Sequence, residues 1–243
     1  MTARIATEHR EGAGPTTVFL PGYASDMAGS KALALDDWAA GSGRAFVRFD
    51  YRGCGASAGA FEDFTLEDWR DDALSVVDSI GGPVVLVGSS MGGWIMLLAA
   101  LARPEQVAAL VGIAAAPDFT HWGFNERQLQ EMEDFGALRE TSRYDQTTLV
   151  TTQAFYESGQ RLLLMHDPYN HRFDAVIPID CPVRLIQGDR DIEVPGHIGL
   201  QLKERLRSSD VQVTLVKDGD HRLSRATDIA LLIATIDALT RSP

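Results

Sequence analysis

The sequence predicts an α/β fold, built as a mostly parallel, doubly wound sheet with a helical insertion over one edge. Short β-branched runs alternate with stretches of helical periodicity along most of the 243 residues, the pattern of a sheet with helices on both faces. The runs are continuously apolar, as expected of parallel strands covered on both sides. One long stretch, residues 118–179, breaks the rhythm.

The elements follow in order. Residues 5–10 predict an antiparallel edge strand. Residues 17–20 (Thr-Val-Phe-Leu) predict the first inner strand, closed by Pro21 and Gly22. Residues 45–49 predict the second, closed by Asp50 and the loop of Gly53 and Gly55. Further inner strands are expected at 84–87, 107–114, 183–186 and 211–216. Between them, residues 66–80 place Leu66, Trp69, Ala73, Val76, Val77 and Ile80 at helical spacing, with Thr65 as N-cap. Residues 91–102 are apolar almost all round, which predicts a buried central helix. Helices at 196–207 and 228–239 complete the alternation.

The interrupting stretch is polar yet carries Phe119, Trp122, Phe124, Phe135, Tyr144, Phe155 and Tyr156. Its segments 125–135 and 151–165 look helical. A structureless loop of that length does not suit a compact domain. A lid of helices at about 118–179, within a single domain spanning 1–243, is therefore expected; an added structural layer is the blander reading.

Composition removes several function classes. Lys and Arg number 22 against 34 Asp and Glu, a formal charge of −12. No basic stripe is present to neutralise phosphates, which argues against nucleic acid and against docking on anionic lipid. The acidic balance reads as solubility, with exclusion of anionic substrates as a sharper alternative. Cys54 and Cys181 form no CxxC and have no histidine at zinc spacing, so free thiols are expected. The first residues lack an apolar core, and no run is long enough to span a bilayer. A cytoplasmic chain without stable membrane insertion is the expectation.

Gly88-Ser89-Ser90-Met91-Gly92 matches G-x-S-x-G between a predicted strand and a predicted helix. In that context it resembles the nucleophile elbow of the α/β-hydrolase fold, with Ser90 as nucleophile. Ser89 sits one place off the motif. A serine hydroxyl needs a base. The chain has six histidines, and the fold's order of Ser, acid, then His after the last strand selects His221. His197 reads as a helix-start or rim residue. His166 and His171 flank Pro168, but their spacing does not place both on one helix face, so no metal site is expected. The acid candidates are Asp189 and Asp191; Asp191 fits G-x-x-D-x-x-V-P, and Asp189 is expected to pair with Arg190 or cap a turn. The oxyanion donors expected by position are the backbone N–H groups of Met91 and Tyr23. The run from Asp50 to Ser57 reads as structural, with Arg52 tying down its loop and Cys54 lacking a base.

Several segments extend the resemblance over nearly the whole chain. They include Pro21-Gly22-Tyr23 with Lys31-Ala32-Leu33-Ala34, Arg48-Phe49-Asp50-Tyr51, Gly88-Ser89-Ser90-Met91-Gly92-Gly93-Trp94, and Gly219-Asp220-His221-Arg222. Together they resemble the palmitoyl-protein thioesterase and acyl-glucuronide esterase branch of the α/β-hydrolase-domain series. The resemblance implies hydrolysis of esters or thioesters, fatty-acyl thioesters and acyl glucuronides among them, without a cofactor, on a small-molecule or acylated-protein substrate. A C–C bond hydrolase of aromatic catabolism and a slow-turnover ligand receptor share the same residues and remain alternatives. The dehalogenase branch needs Asp where Ser90 stands. Acyl chain length and oligomeric state are left open.

Overall fold

A computed structural model describes residues 4–142, 146–166 and 176–240. The first half runs β1 (Thr7–Arg10), β2 (Ala13–Leu20), α1 (Ser30–Ser42), β3 (Arg44–Phe49), α2 (Leu66–Ile80), β4 (Val84–Ser89), α3 (Met91–Ala102) and β5 (Val107–Ile113). The insertion follows: α4 (Phe119–Trp122), α5 (Glu126–Phe135), β6 (Ala137–Thr141), β7 (Thr148–Thr152) and α6 (Gln153–Arg161). The chain then returns to the sheet through β8 (Val183–Gly188), α7 (His197–Arg205), β9 (Val211–Val216) and α8 (Ala226–Thr240).

The main sheet has the order β1-β3-β2-β4-β5-β8-β9. Only the edge strand β1 is antiparallel, pairing with β3. β4 lies at the centre and all six of its residues are buried, which is why it reads as a continuous apolar run. One face packs Leu66, Trp69, Trp94 and Leu202 of α2, α3 and α7; the other packs Leu35 of α1 and Leu232 and Ile236 of α8. α3 is buried nearly throughout because it lies against β4, β5 and α2 together.

Local chemistry explains the ends of α2. Thr65 accepts from the Asp68 amide while Asp68 returns a bond to the Thr65 amide, a capping box, and Gly81 closes the helix at φ 68°. Arg52 does tie down its loop: its Nε donates to Asp72 at 2.6 Å, and its guanidinium lies 5.0 Å from the Phe64 ring centre.

Two parts depart from the sequence expectation. α1 lacks a capping side chain at Gly29 and buries only Ala32, Leu35 and Ala39, so its periodicity is weak. In the insertion, the expected helix at 151–165 is shorter. Residues 148–152 instead pair with β6 in an antiparallel hairpin, as their β-branched composition favours. Thr152 then caps α6, accepting from the Phe155 amide at 3.1 Å.

Asp118 ties the insertion to itself. It sits at φ 58° with its side chain fully buried. Its carboxylate accepts the amides of Leu164, Met165 and His166 at 2.8, 2.6 and 3.0 Å. Trp94 Nε1 donates to Leu162 at 3.2 Å, fastening the same strap to α3.

The crossing from β4 to α3 is the tightest point of the fold. A Cβ on Gly92 would strike the carbonyl oxygens of Leu20 and Pro21 at the end of β2, and one on Gly88 would strike the Gly92 backbone. Gly92→Ala is expected to destabilise by about 1–3 kcal/mol, lowering Tm by roughly 3–10 °C, as thermal unfolding followed by circular dichroism would report.

Candidate active site

The sheet brings three loops together at its C-terminal edge, beside the point where the chain order reverses between β2 and β4. Open α/β sheets bind ligands at that place. Ser90 lies at the end of β4 with φ 54° and ψ −120°, a strained conformation for a residue with a Cβ. Its backbone is over-determined: its amide donates to Ile113 at 2.9 Å, and its carbonyl accepts from Gly93 and Ala116 at 2.8 and 3.0 Å. Those bonds hold the turn with the hydroxyl outward.

His221 arrives on the loop after β9. Its Nε2 is 3.1 Å from Ser90 Oγ, and its Nδ1 is 2.9 Å from Asp191 Oδ2. Asp191 Oδ1 accepts the amides of Glu193 and Val194, both at 2.9 Å. Burial opposes ionisation of this carboxyl. The hydrogen bonds from His221 and the two amides outweigh it, so the group is held below the usual carboxylate range.

The loops of Asp191 and His221 are joined to each other. The Arg190 amide donates to the Gly219 carbonyl at 2.9 Å, and the Arg190 guanidinium pairs with Asp218 at 2.7 Å. The expected pairing of Asp189 with Arg190 is therefore absent, because Arg190 reaches across to the loop of His221. Asp189 itself is exposed, its amide bonded to Val216.

Two supporting residues escaped the sequence reading. Buried Gln187 donates to Asp191 Oδ2 at 3.0 Å and to the Val194 carbonyl at 3.1 Å. It sits inside β8, where a polar residue following Leu185 and Ile186 is the only signal. Glu193 Oε2 lies 3.6 Å from His221 Nε2, on the Ser90 side of the ring.

Tyr23 lines the cavity over Ser90, and Met91 follows Ser90 as the first residue of α3. Neither amide has a hydrogen-bond acceptor among the described residues. The Tyr23 side chain has its own task. Its hydroxyl is 2.9 Å from Thr151 Oγ1 in β7, and its ring packs edge-on against Phe61 at 5.1 Å and tilted against Phe155 at 5.1 Å. Burial pushes its phenol well above the ordinary value. The loop that carries this amide is thus bolted to the insertion.

The remaining candidates are placed elsewhere. Ser89 is buried in β4 and makes no bond to a histidine among the described residues. His197 is exposed at the start of α7. His166 Nδ1 is 3.0 Å from Asp118, and its ring stacks on His121 at 4.2 Å; His171 and Tyr144 lie outside the described residues. No group of three or more His, Cys, Asp or Glu could hold a metal among the described residues. Cys54 and Cys181 are both free. Burial first, then nearby Asp50 and Asp72, push the Cys54 thiol up to about 12, so it is an inert thiol at neutral pH.

A cavity of about 340 Å³ opens over Ser90 and His221. Its wall is formed by the Tyr23 loop, the first turn of α1, the hairpin, and the loops of Glu193 and Arg222. No helix among the described residues is long and apolar enough to cross a membrane.

Known proteins resemble this chain in sequence and fold. The alpha/beta hydrolase family matches residues 17–230. The human palmitoyl-protein thioesterase ABHD10, mitochondrial, is 42% identical over 240 residues, covering 97% of this chain and 76% of the human one. Its named location differs from the cytosolic setting expected above. The structure of mouse alpha/beta hydrolase domain-containing protein 10 superposes with a TM-score of 0.88 at 41% identity, covering 98% of this chain and 94% of the mouse chain. A crystal structure from Agrobacterium vitis S4 gives 0.90 at 40% identity, with the same coverage of 98% and 94%. With a family match over most of its length and relatives at this identity, the chain belongs to the α/β hydrolase family.

Proposed function

We propose that the protein hydrolyses carboxylic esters and thioesters through an acyl-enzyme on Ser90. The observation that carries this reading is the continuous relay from Ser90 Oγ to His221 at 3.1 Å and from His221 to Asp191 at 2.9 Å. It ends beside two amides with no other acceptor among the described residues. His221 Nε2 takes the Ser90 proton as the oxygen attacks the acyl carbon. Asp191 holds the tautomer with the proton on Nδ1 and stabilises the imidazolium. The Tyr23 and Met91 amides receive the oxyanion, each such donor contributing about 3–4 kcal/mol. His221 then protonates the leaving alcohol or thiol, and water repeats the cycle on the acyl-enzyme. Each step uses groups of the chain itself, so the mechanism calls for no metal or organic cofactor.

The substrate is a small acyl ester or an acylated protein. Fatty-acyl thioesters are the first class to test, on the name of the human relative, with acyl glucuronides beside them. The insertion at 118–179 acts as the lid, joined to the oxyanion loop through Tyr23 and Thr151.

A fluorophosphonate probe is expected to label Ser90, and Ser90→Ala to lower kcat by roughly 10⁴–10⁶-fold. A folded wild-type protein that stays unlabelled, or that gives one acylation burst without turnover, would sink the proposal. Asp191→Asn is expected to cost about 10⁴ in kcat through loss of the tautomer. It also carries a stability signature. The Asp191 carboxyl is depressed in the folded state, so its stabilisation is present above the unfolded value of about 4 and fades as pH falls through the folded value. Urea unfolding should therefore show the gap between wild type and Asp191→Asn narrowing below about pH 4. Tyr23→Phe should lower kcat about three- to tenfold, the worth of roughly one hydrogen bond, with a smaller change in KM, as steady-state kinetics would show.

A further inference from the structure

One cation lining the cavity forms no ion pair among the described residues. Lys31 stands on the first turn of α1 and lines the space over Ser90. Its Nζ donates to the Arg222 carbonyl at 2.6 Å, one residue beyond His221. That is its only recorded hydrogen bond, and no carboxylate pairs with it among the described residues. An ammonium has three protons to donate, so two remain for a ligand.

The acidic groups nearby are turned to other tasks. Asp26 Oδ1 accepts the Ala28 amide at 2.8 Å. Glu193 faces His221. Asp220 Oδ1 accepts the Leu223 amide at 3.0 Å. Burial first, then the charge of Arg222, lower the Lys31 ammonium to about 8, against a smaller upward pull from Asp220. It is still mostly protonated at neutral pH. The residue is half-buried, and partly withdrawing a cation from water without a partner costs some free energy. Tying α1 to the base loop does not explain that cost, because a neutral donor would make the same bond to the Arg222 carbonyl. A ligand that brings the missing anion does explain it. The hydroxyl residues Ser25, Ser30 and Ser224 share the cavity lining with Lys31.

We infer that Lys31 is a specificity-determining residue, and that the preferred ester or thioester carries a carboxylate seated on its ammonium while Ser90 attacks the acyl carbon. The inference rests on the acyl-hydrolase reading and names the substrate class for it. A carboxylate suits the site better than a phosphate: its two oxygens match the two remaining protons, and a dianion would set a second charge against Asp26 and Glu193 on the same wall.

Two matched ester pairs test it, with rates corrected for spontaneous hydrolysis. On the acyl side, 4-nitrophenyl hemisuccinate is compared with its methyl ester. On the leaving-group side, the butyrate ester of 4-hydroxybenzoate is compared with that of 4-hydroxybenzamide. Lys31→Gln keeps an N–H donor for the Arg222 carbonyl and removes the charge; Lys31→Arg keeps the charge. In at least one pair, Lys31→Gln is expected to lower the anionic-to-neutral ratio of kcat/KM about tenfold, mainly through KM, the scale of one charge-assisted hydrogen bond. Lys31→Arg should restore most of that ratio. An unchanged ratio in both pairs, including a parallel fall of both members, overturns the inference and leaves Lys31 a loop anchor. Failure of the wild type to cleave any of the four esters, with Ser90 unlabelled by fluorophosphonate, overturns the acyl-hydrolase reading itself.

Discussion

The arrangement of this protein depends on one close approach, that of the turn between β4 and α3 to the end of β2. Gly92 lies so near the Leu20 and Pro21 carbonyls that no side chain fits there. Because the backbones meet, Ser90 is forced into its φ of 54° and its hydroxyl is presented at the sheet edge. The same contact brings the Tyr23 loop beside the first turn of α3. Two amides and a hydroxyl thereby converge without any long side chain reaching for them. The strain is held by the three backbone bonds at Ser90 and by a central strand buried on both faces.

The second tier of organisation keeps the base in register. Asp191 is a buried carboxylate that stays ionised because donors surround it: two amides, Gln187 and the His221 ring. A buried carboxylate with fewer donors would take up a proton instead. The contact of Arg190 with Gly219 and Asp218 joins the loop of Asp191 to the loop of His221. Local electrostatics here run against the global balance. The chain is strongly acidic overall, yet the cavity holds an ammonium at Lys31 that forms no ion pair among the described residues. Net charge describes solubility and long-range steering; the sign of a binding site is set by the few groups that share its low-dielectric wall.

The insertion contributes aromatic packing as well as cover. Tyr23, Phe61, Trp69, Phe119 and Phe155 form one cluster of ring contacts spanning the oxyanion loop, α2 and the insertion. Displacing the hairpin would break the Tyr23–Thr151 bond and pull on the loop of Tyr23 beside Ser90. Cover and chemistry are therefore mechanically linked.

By itself the sequence determined the α/β class, the inner strands, the central helix and the order of Ser90, Asp191 and His221. These are legible because each is a local signal: a continuous apolar run, a glycine-flanked serine at a strand end, a histidine in a turn after the last strand. Tertiary structure alone decided the rest. Of the 151–165 segment, Thr151 and Thr152 join a hairpin and the helix begins at Gln153, because β6 offers the β-branched run a partner from elsewhere in the chain. α1 is hidden because no side chain caps it and it buries only Ala32, Leu35 and Ala39. Arg190 was assigned a neighbour in sequence but found one on another loop. Gln187, the Tyr23 hydroxyl and Lys31 acquire meaning only from what they touch, and Tyr23 and Lys31 reach partners 128 and 191 positions away. Periodicity and motifs report how a residue relates to its near neighbours. Distances across the sheet edge are set by packing, and packing is where the specificity of this site resides.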